Sequence, residues 1–250
     1  MSIDFGSVAD DFFVNLSLQT TLSLPDSRET ILHFCEAVQK EFTGMTSFYQ
    51  RETGEFVLEG DRDSGSYQWM ELQPRRLSAG YFNPPDLESA YRLHRWLLDR
   101  CVYYLGISGI DIECLDILFG FNLDFVGNRD AIVAEALLGG SALGALMSHG
   151  GSGKALECEP SLVISIDEHC YLQARLSLET RSSSYQIRTG RFEDEPISVY
   201  LTVRRYPMIG KVMNLQESFR QQCQKIEDIS GQVVVPNIIQ PIATAIASAG

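Results

Sequence analysis

The residues best suited to chemistry are few and scattered. Ser148-His-Gly-Gly-Ser-Gly-Lys154 is glycine-rich and ends in lysine, which invites comparison with a phosphate-binding loop. Such a loop needs glycine where Ser148 stands and Ser or Thr where Ala155 stands, between an apolar strand and a helix. Neither residue matches and no strand runs into the segment, so a surface loop is expected at 148–154. The four histidines are His33, His94, His149 and His169. Glu157-Cys158-Glu159 and Asp167-Glu168-His169-Cys170 contain metal-ligating residue types. Adjacent residues of an extended chain point opposite ways, and no short ligand spacing links the two groups, so a turn is expected and no metal site. His94 shares a helical face with Ala90, Leu97 and Cys101, which suits a core or interface histidine. No nucleophile elbow, paired-carboxylate spacing or dinucleotide fingerprint occurs, so no catalytic residue and no cofactor are expected. Acid–base groups can still converge from distant positions.

Six cysteines (35, 101, 114, 158, 170 and 223) form no Cys-x-x-Cys pair, and several lie on apolar helix stripes. They read as reduced, buried thiols of a cytoplasmic protein. Met1-Ser-Ile-Asp-Phe-Gly has neither a basic nor an apolar region, so no signal peptide is expected. The apolar stretch from Val233 contains Pro236, Asn237, Gln240 and Pro241. It reads as a packed terminal helix after a proline turn, short of a membrane span.

The elements that must position any site follow from periodicity. Phe12, Val14, Leu16 and Leu18 alternate with Phe13, Asn15 and Ser17, the pattern of a half-buried strand. Asp26, with Glu29 as its partner, can cap a helix whose apolar stripe is Ile31, Phe34, Cys35, Val38 and Phe42. Strands follow near 45–51, 54–59, 66–73 and 75–82, and Asp86 opens a long helix. The order then begins again. Leu115 to Phe125 alternates as a strand, and Asn128 caps a helix that runs into the Gly/Ala/Ser-rich stretch 139–153. Strands are expected at 162–166, 172–178, near 185–189 and at 197–204, before a last helix capped from Asn214 or Glu217.

Each half therefore reads as strand, helix, four strands, helix. The units span 1–108 and 109–250 and together make one pseudo-symmetric α+β domain. This duplicated β-α-β4-α order resembles the TATA-binding-protein-like fold, a curved antiparallel sheet with long helices on one face. The stretch Leu72-Gln-Pro-Arg-Arg-Leu-Ser-Ala-Gly-Tyr81 before a long helix also resembles a sporadic bacterial family of the same element order, without an assigned activity. The doublets Arg75-Arg76 and Arg204-Arg205 fall at similar distances before the last helix of each half.

Clean alternation leaves one face of such a sheet wet. That face would carry Asn15, Ser17, Asn122, Asp124, Arg175, Ser177, Tyr200, Thr202 and Arg204, and the binding candidates are Arg175, Tyr200, Arg204, Asn122 and Asp124. The chain has 20 basic and 33 acidic residues, net −13. The excess is spread over both halves, with net −7 in 1–108 and −6 in 109–250. A saddle for DNA needs many well-placed cations, so a nucleic-acid partner is disfavoured despite the resemblance. The expectation is a non-catalytic binding protein that uses this face, or a groove between the repeats, for a protein or a small ligand. The alternatives are an acidic protein similar to secretion chaperones, and a ligand carrier or enzyme with a helix–sheet pocket around His94.

Overall fold

The structure, a computed structural model, describes residues 4–148 and 153–249. Of the glycine–lysine segment, residues 149–152 lie outside the described residues, as do the first three of the chain.

One curved, unclosed antiparallel sheet of nine strands carries the molecule. The first half supplies β1 (Asp11–Thr20), α1 (Arg28–Glu41), β2 (Ser47–Gln50), β3 (Phe56–Glu59), β4 (Tyr67–Gln73), β5 (Arg76–Phe82) and α2 (Leu87–Tyr104). The second supplies β6 (Ile112–Leu123), α3 (Arg129–Leu138), α4 (Gly144–Ser148), β7 (Ser161–Ser165), β8 (Leu172–Glu179), α5 (Ser184–Thr189), β9 (Ile197–Arg205) and α6 (Leu215–Ile229). A π-helical segment (Ser230–Ile239) then leads into α7 (Gln240–Ala249).

The strand order is β2-β3-β4-β5-β1-β6-β9-β8-β7. Each half places its first strand at the centre and its last strand beside it, so β1 and β6 meet antiparallel in the middle. The helices lie on one face because only one face of each strand is apolar. Leu16, Ile117 and Val203 are register partners across β1, β6 and β9, and all are buried. Gln222 of α6 is buried among them, where its side-chain amide donates to the carbonyls of Leu115 and Val203 at 2.7 and 2.8 Å. Removing that face from water drives the folding.

Local chemistry accounts for the helix starts. Asp86, Asn128 and Asn214 each accept a backbone N–H from the first turn of α2, α3 and α6, as expected. At α1 the cap is Ser27 rather than Asp26; its hydroxyl accepts from the Thr30 amide. The segment 185–189 is helix α5 and not a strand. Ser183 and Gln186 form a reciprocal capping box there, and Gly190 in the left-handed region (φ 68°) ends the turn. The second half therefore has three strands after α3, and its outer strand β7 is the sheet edge.

The C-terminus also differs from expectation. Pro236 makes no turn, and the chain continues as one helical rod over Leu215–Ala249. Proline clashes with the carbonyl four residues back in a regular helix; the wider π coil at Ser230–Ile239 admits its ring. By length and composition this rod could cross a membrane, but a third of its most apolar stretch is buried within the protein. Val234, Val235, Ile239, Ile242 and Ala245 supply its buried stripe, and α7 packs on α3.

Candidate functional site

The face opposite the helices is covered by no other element among the described residues. It carries an open groove of about 630 Å³ that crosses the middle of the sheet, with residues from both halves in its walls. Strand register places them in rows. One row runs Glu71, Ser78, Ser17, Asp116, Arg204, Gln173 across β4, β5, β1, β6, β9 and β8. The next runs Trp69, Gly80, Asn15, Leu118, Thr202, Arg175, Val163, ending on β7. A third runs Tyr67, Phe82, Phe13, Gly120, Tyr200, Ser177.

The third row is aromatic. Tyr67 stacks on Phe82 at 5.4 Å and Phe82 on Phe13 at 6.0 Å, and Phe13 meets Tyr200 edge-on at 6.2 Å. All four rings, with Trp69 beside them, are half-buried. Two mid-strand glycines let rings lie down on the sheet. A Cβ at Gly120 would stand 2.1 Å from the Phe13 ring, and one at Gly80 would stand 2.1 Å from Asn15 Oδ1 and 2.5 Å from Trp69 Nε1. Gly80→Ala is therefore expected to lift the Trp69 indole off the sheet. Fluorescence in a Trp96→Phe background, which leaves Trp69 as the sole indole, should shift to the red; unchanged emission would refute this placement.

The charges of the groove are mostly spent on each other. Arg204 grips Asp116 through two bonds of 2.7 and 2.6 Å, which hold its guanidinium firmly protonated. Arg181, a non-glycine residue at φ 52°, bonds to Ser198, Glu179 and the Tyr200 hydroxyl at 2.8, 2.9 and 2.7 Å. Arg175 differs: it is exposed in the groove wall and has no hydrogen bond or ion pair among the described residues. Arg76 bonds to Gln73 but to no acid. Asn15 Oδ1, buried in the groove floor, also has no partner among the described residues.

Of the five sequence candidates, the structure brings Arg175, Tyr200 and Arg204 together in the groove. Asn122 and Asp124 lie beyond it. Asn122 accepts from Ser198 at 2.7 Å, one row past the aromatic strip. Asp124 follows β6 on the rim, where its carboxyl is pushed upward by burial and then by Asp10, Asp11 and Asp194. Both fall outside because β6 runs on past the groove end. Sequence reading placed Asn15 and Ser17 of the first half on this face but overlooked Trp69, Glu71, Arg76 and the rings of Tyr67 and Phe82. The available signal was a glycine inside each of two strands, Gly80 and Gly120, since strand-interior glycine marks a close approach. The arginine doublets are not equivalent. Arg76 begins β5 while Arg204 lies near the end of β9, and antiparallel order brings both to the groove.

The other candidates disperse. His94 is fully buried against Phe219 and lines neither this groove nor the 890 Å³ cleft between α2 and α6. Burial lowers its pKa to about 3, a little of which is countered by the Ala79 backbone. Cys223 lines the cleft, but burial pushes its thiol up to about 12, so no thiolate forms there at neutral pH. Cys170 is exposed in the β7–β8 turn, unlike the other five cysteines. Among the described residues no cluster of three or more His, Cys, Asp or Glu side chains could hold a metal ion. No protein-family profile and no curated protein sequence matches the chain.

Proposed function

We propose that this protein is a non-catalytic binding protein whose uncovered sheet face holds an extended segment of a partner protein. The observation that carries this reading is a row of half-buried aromatic rings beside the unpaired Arg175, on a face nothing else covers among the described residues. Trp, Tyr and Arg are the residues that dominate binding energy at protein interfaces. The groove is open to solvent opposite the sheet, whereas small-ligand sites enclose most of the ligand surface. Nucleic acid suits it poorly. Arg204 and Arg181 are neutralised by Asp116 and Glu179, which leaves too few cations for several phosphates. We read the halves as TATA-binding-protein-like repeats, a reading supported by their mirrored strand order.

The test is selection from a random peptide library on the full chain. Selected peptides should bind at least tenfold more weakly to Tyr200→Ala and Arg175→Glu, and equally well to Arg220→Glu on the opposite face. Peptides indifferent to the groove substitutions, or no enrichment, would overturn the reading. A chaperone-like role is the second reading, supported by exposed apolar residues such as Leu143, Leu146 and Leu156. It would instead enrich apolar peptides that ignore the groove substitutions.

A further inference from the structure

The first half closes its outer edge with β2, which pairs with β3. In the second half β7 lies two places outside β9, as β3 lies two places outside β5, and among the described residues nothing pairs with its outer side. β7 is Ser161-Leu-Val-Ile-Ser165, without a charge, proline or bulge. Leu162, Val163 and Ile164 are 63, 53 and 47% exposed. Monomeric proteins guard such edges with charge, proline or distortion, and an unguarded apolar edge is a template for another strand.

The free main-chain groups can be assigned. Ile166 donates to Leu172, and Leu178 donates to the Pro160 carbonyl, so the even-numbered residues bond inward to β8. The odd-numbered residues, Ser161, Val163 and Ser165, therefore point their N–H and C=O groups outward. The segment is also nearly palindromic about Val163: serine, aliphatic, valine, aliphatic, serine. A twofold interface requires a self-complementary patch, and this strand is one.

We propose that the outer edge of β7 pairs with the same edge of a second copy of this chain, antiparallel, with Val163 against Val163 on the twofold axis. Val163 then exchanges both main-chain bonds with its counterpart, and Ser161 does so with Ser165 of the other copy on either side. Leu162 of each copy meets Ile164 of the other on the helix side of the sheet, where the helical layer leaves them uncovered. Val163 meets Val163 on the groove side. The partner's strand takes the place next to β7 that β2 takes next to β3, and the sheet continues through the dimer. Pairing beyond this core would set Glu159 against Asp167, and each chain carries net −13. Charge thus limits the ladder to one strand length and opposes association at low salt. A five-residue edge is small for an interface, so the dimer is expected to be weak, on the order of micromolar.

The edge pairing needs no groove partner; Val163 ends one groove row, whereas Ile164 lies on the helix side, so Ile164→Lys separates the edge from the groove. Sedimentation equilibrium of the full chain from about 1 to 500 µM should show the mass rising from the 28.0 kDa monomer toward twice that value. The rise should come at lower protein concentration as salt increases. Val163→Pro removes an outward N–H that the monomer does not use, and Ile164→Lys puts a charge in the apolar cluster. Each should weaken association at least tenfold with unfolding midpoints close to wild type. In a Cys170→Ser background, Val163→Cys should oxidise to a disulfide-linked dimer, because paired residues on the axis stand at disulfide distance. A protein monomeric at every concentration overturns the proposal. So does a dimer untouched by both edge substitutions whose Val163→Cys variant forms no crosslink. Salt that weakens the dimer would do so too.

Discussion

Replacing Arg129 with methionine is expected to destabilise the protein by about 3–5 kcal/mol, since each buried acceptor left without a donor costs about 1–3 kcal/mol. Arg129 begins α3 and is fully buried. Its guanidinium faces no carboxylate. It donates instead to the backbone carbonyls of Thr180, Glu193, Glu195 and Arg181. Those carbonyls belong to the loop that leaves β8, forms α5 and returns to β9. Asp130 completes the latch by accepting from the Cys158 amide and the Thr180 hydroxyl at 2.7 and 2.8 Å. Methionine fills much of the volume but strips the donor from the buried Thr180 carbonyl and from the carbonyls of Arg181 and Glu195, while Glu193 keeps only the Glu195 amide. Lysine keeps the charge but presents one nitrogen to carbonyls that a planar fork spans, so its loss should be intermediate. Urea unfolding measures both, and a loss under about 1 kcal/mol for Arg129→Met would show that the loop holds itself. Hydrogen exchange should locate the first opening at 180–196. Because Arg181 bonds to Tyr200 in the groove, the same variant should also loosen the groove wall.

Lowering the pH should destabilise the fold through His94, starting below about 6.5. Burial between α2 and α6 holds its folded pKa to about 3, against an ordinary value of 6.5, with Arg95 adding a small push in the same direction. Among the described residues neither ring nitrogen completes a hydrogen bond, and the Ala79 backbone beside the ring only partly offsets the burial. As pH falls through 6.5 the unfolded chain takes up the proton first. The stabilising contribution is therefore complete above pH 6.5 and declines down to about 3. One pH unit inside that window costs about 1.4 kcal/mol, so at pH 5 the loss is about 2 kcal/mol. Carboxylates contribute to acid unfolding as well, so the informative quantity is a difference. The stability gap between pH 7 and pH 5 should shrink by that amount in His94→Leu, whose side chain suits the apolar site beside Phe219. An equal gap in both proteins would mean the histidine is protonated in the fold or reached by water.

Much of the scaffold could be read from local rules. Alternation at Phe12–Leu18 and Leu115–Phe125 marked the two central strands, because one wet and one dry face impose a period of two. Caps at Asp86, Asn128 and Asn214 marked helix starts, since a short polar side chain satisfies amides the helix leaves free. The misreadings came where local signals conflict. Tyr185, Ile187 and Thr189 alternate over too short a run to distinguish a strand from one helical turn, and the Ser183–Gln186 capping box decided it. Asp26 reads as the α1 cap from its spacing to Glu29, but the next residue, Ser27, holds that place with extended backbone and accepts the Thr30 amide. Pro236 stops a regular helix but not a π coil.

By itself, then, the sequence determined which residues face water and which face the core, hence an α+β sheet with one polar face. It also determined the net charge of −13, because composition and period act through neighbours along the chain. Tertiary structure alone decided which polar residues meet. Register set Asp116 beside Arg204, laid Phe13 over Gly120 and drew Trp69 and Arg76 from the first half into a groove with Arg175 from the second. It also buried Arg129 and left β7 at the edge. These outcomes depend on pairings across tens of residues, which no spacing along the chain encodes.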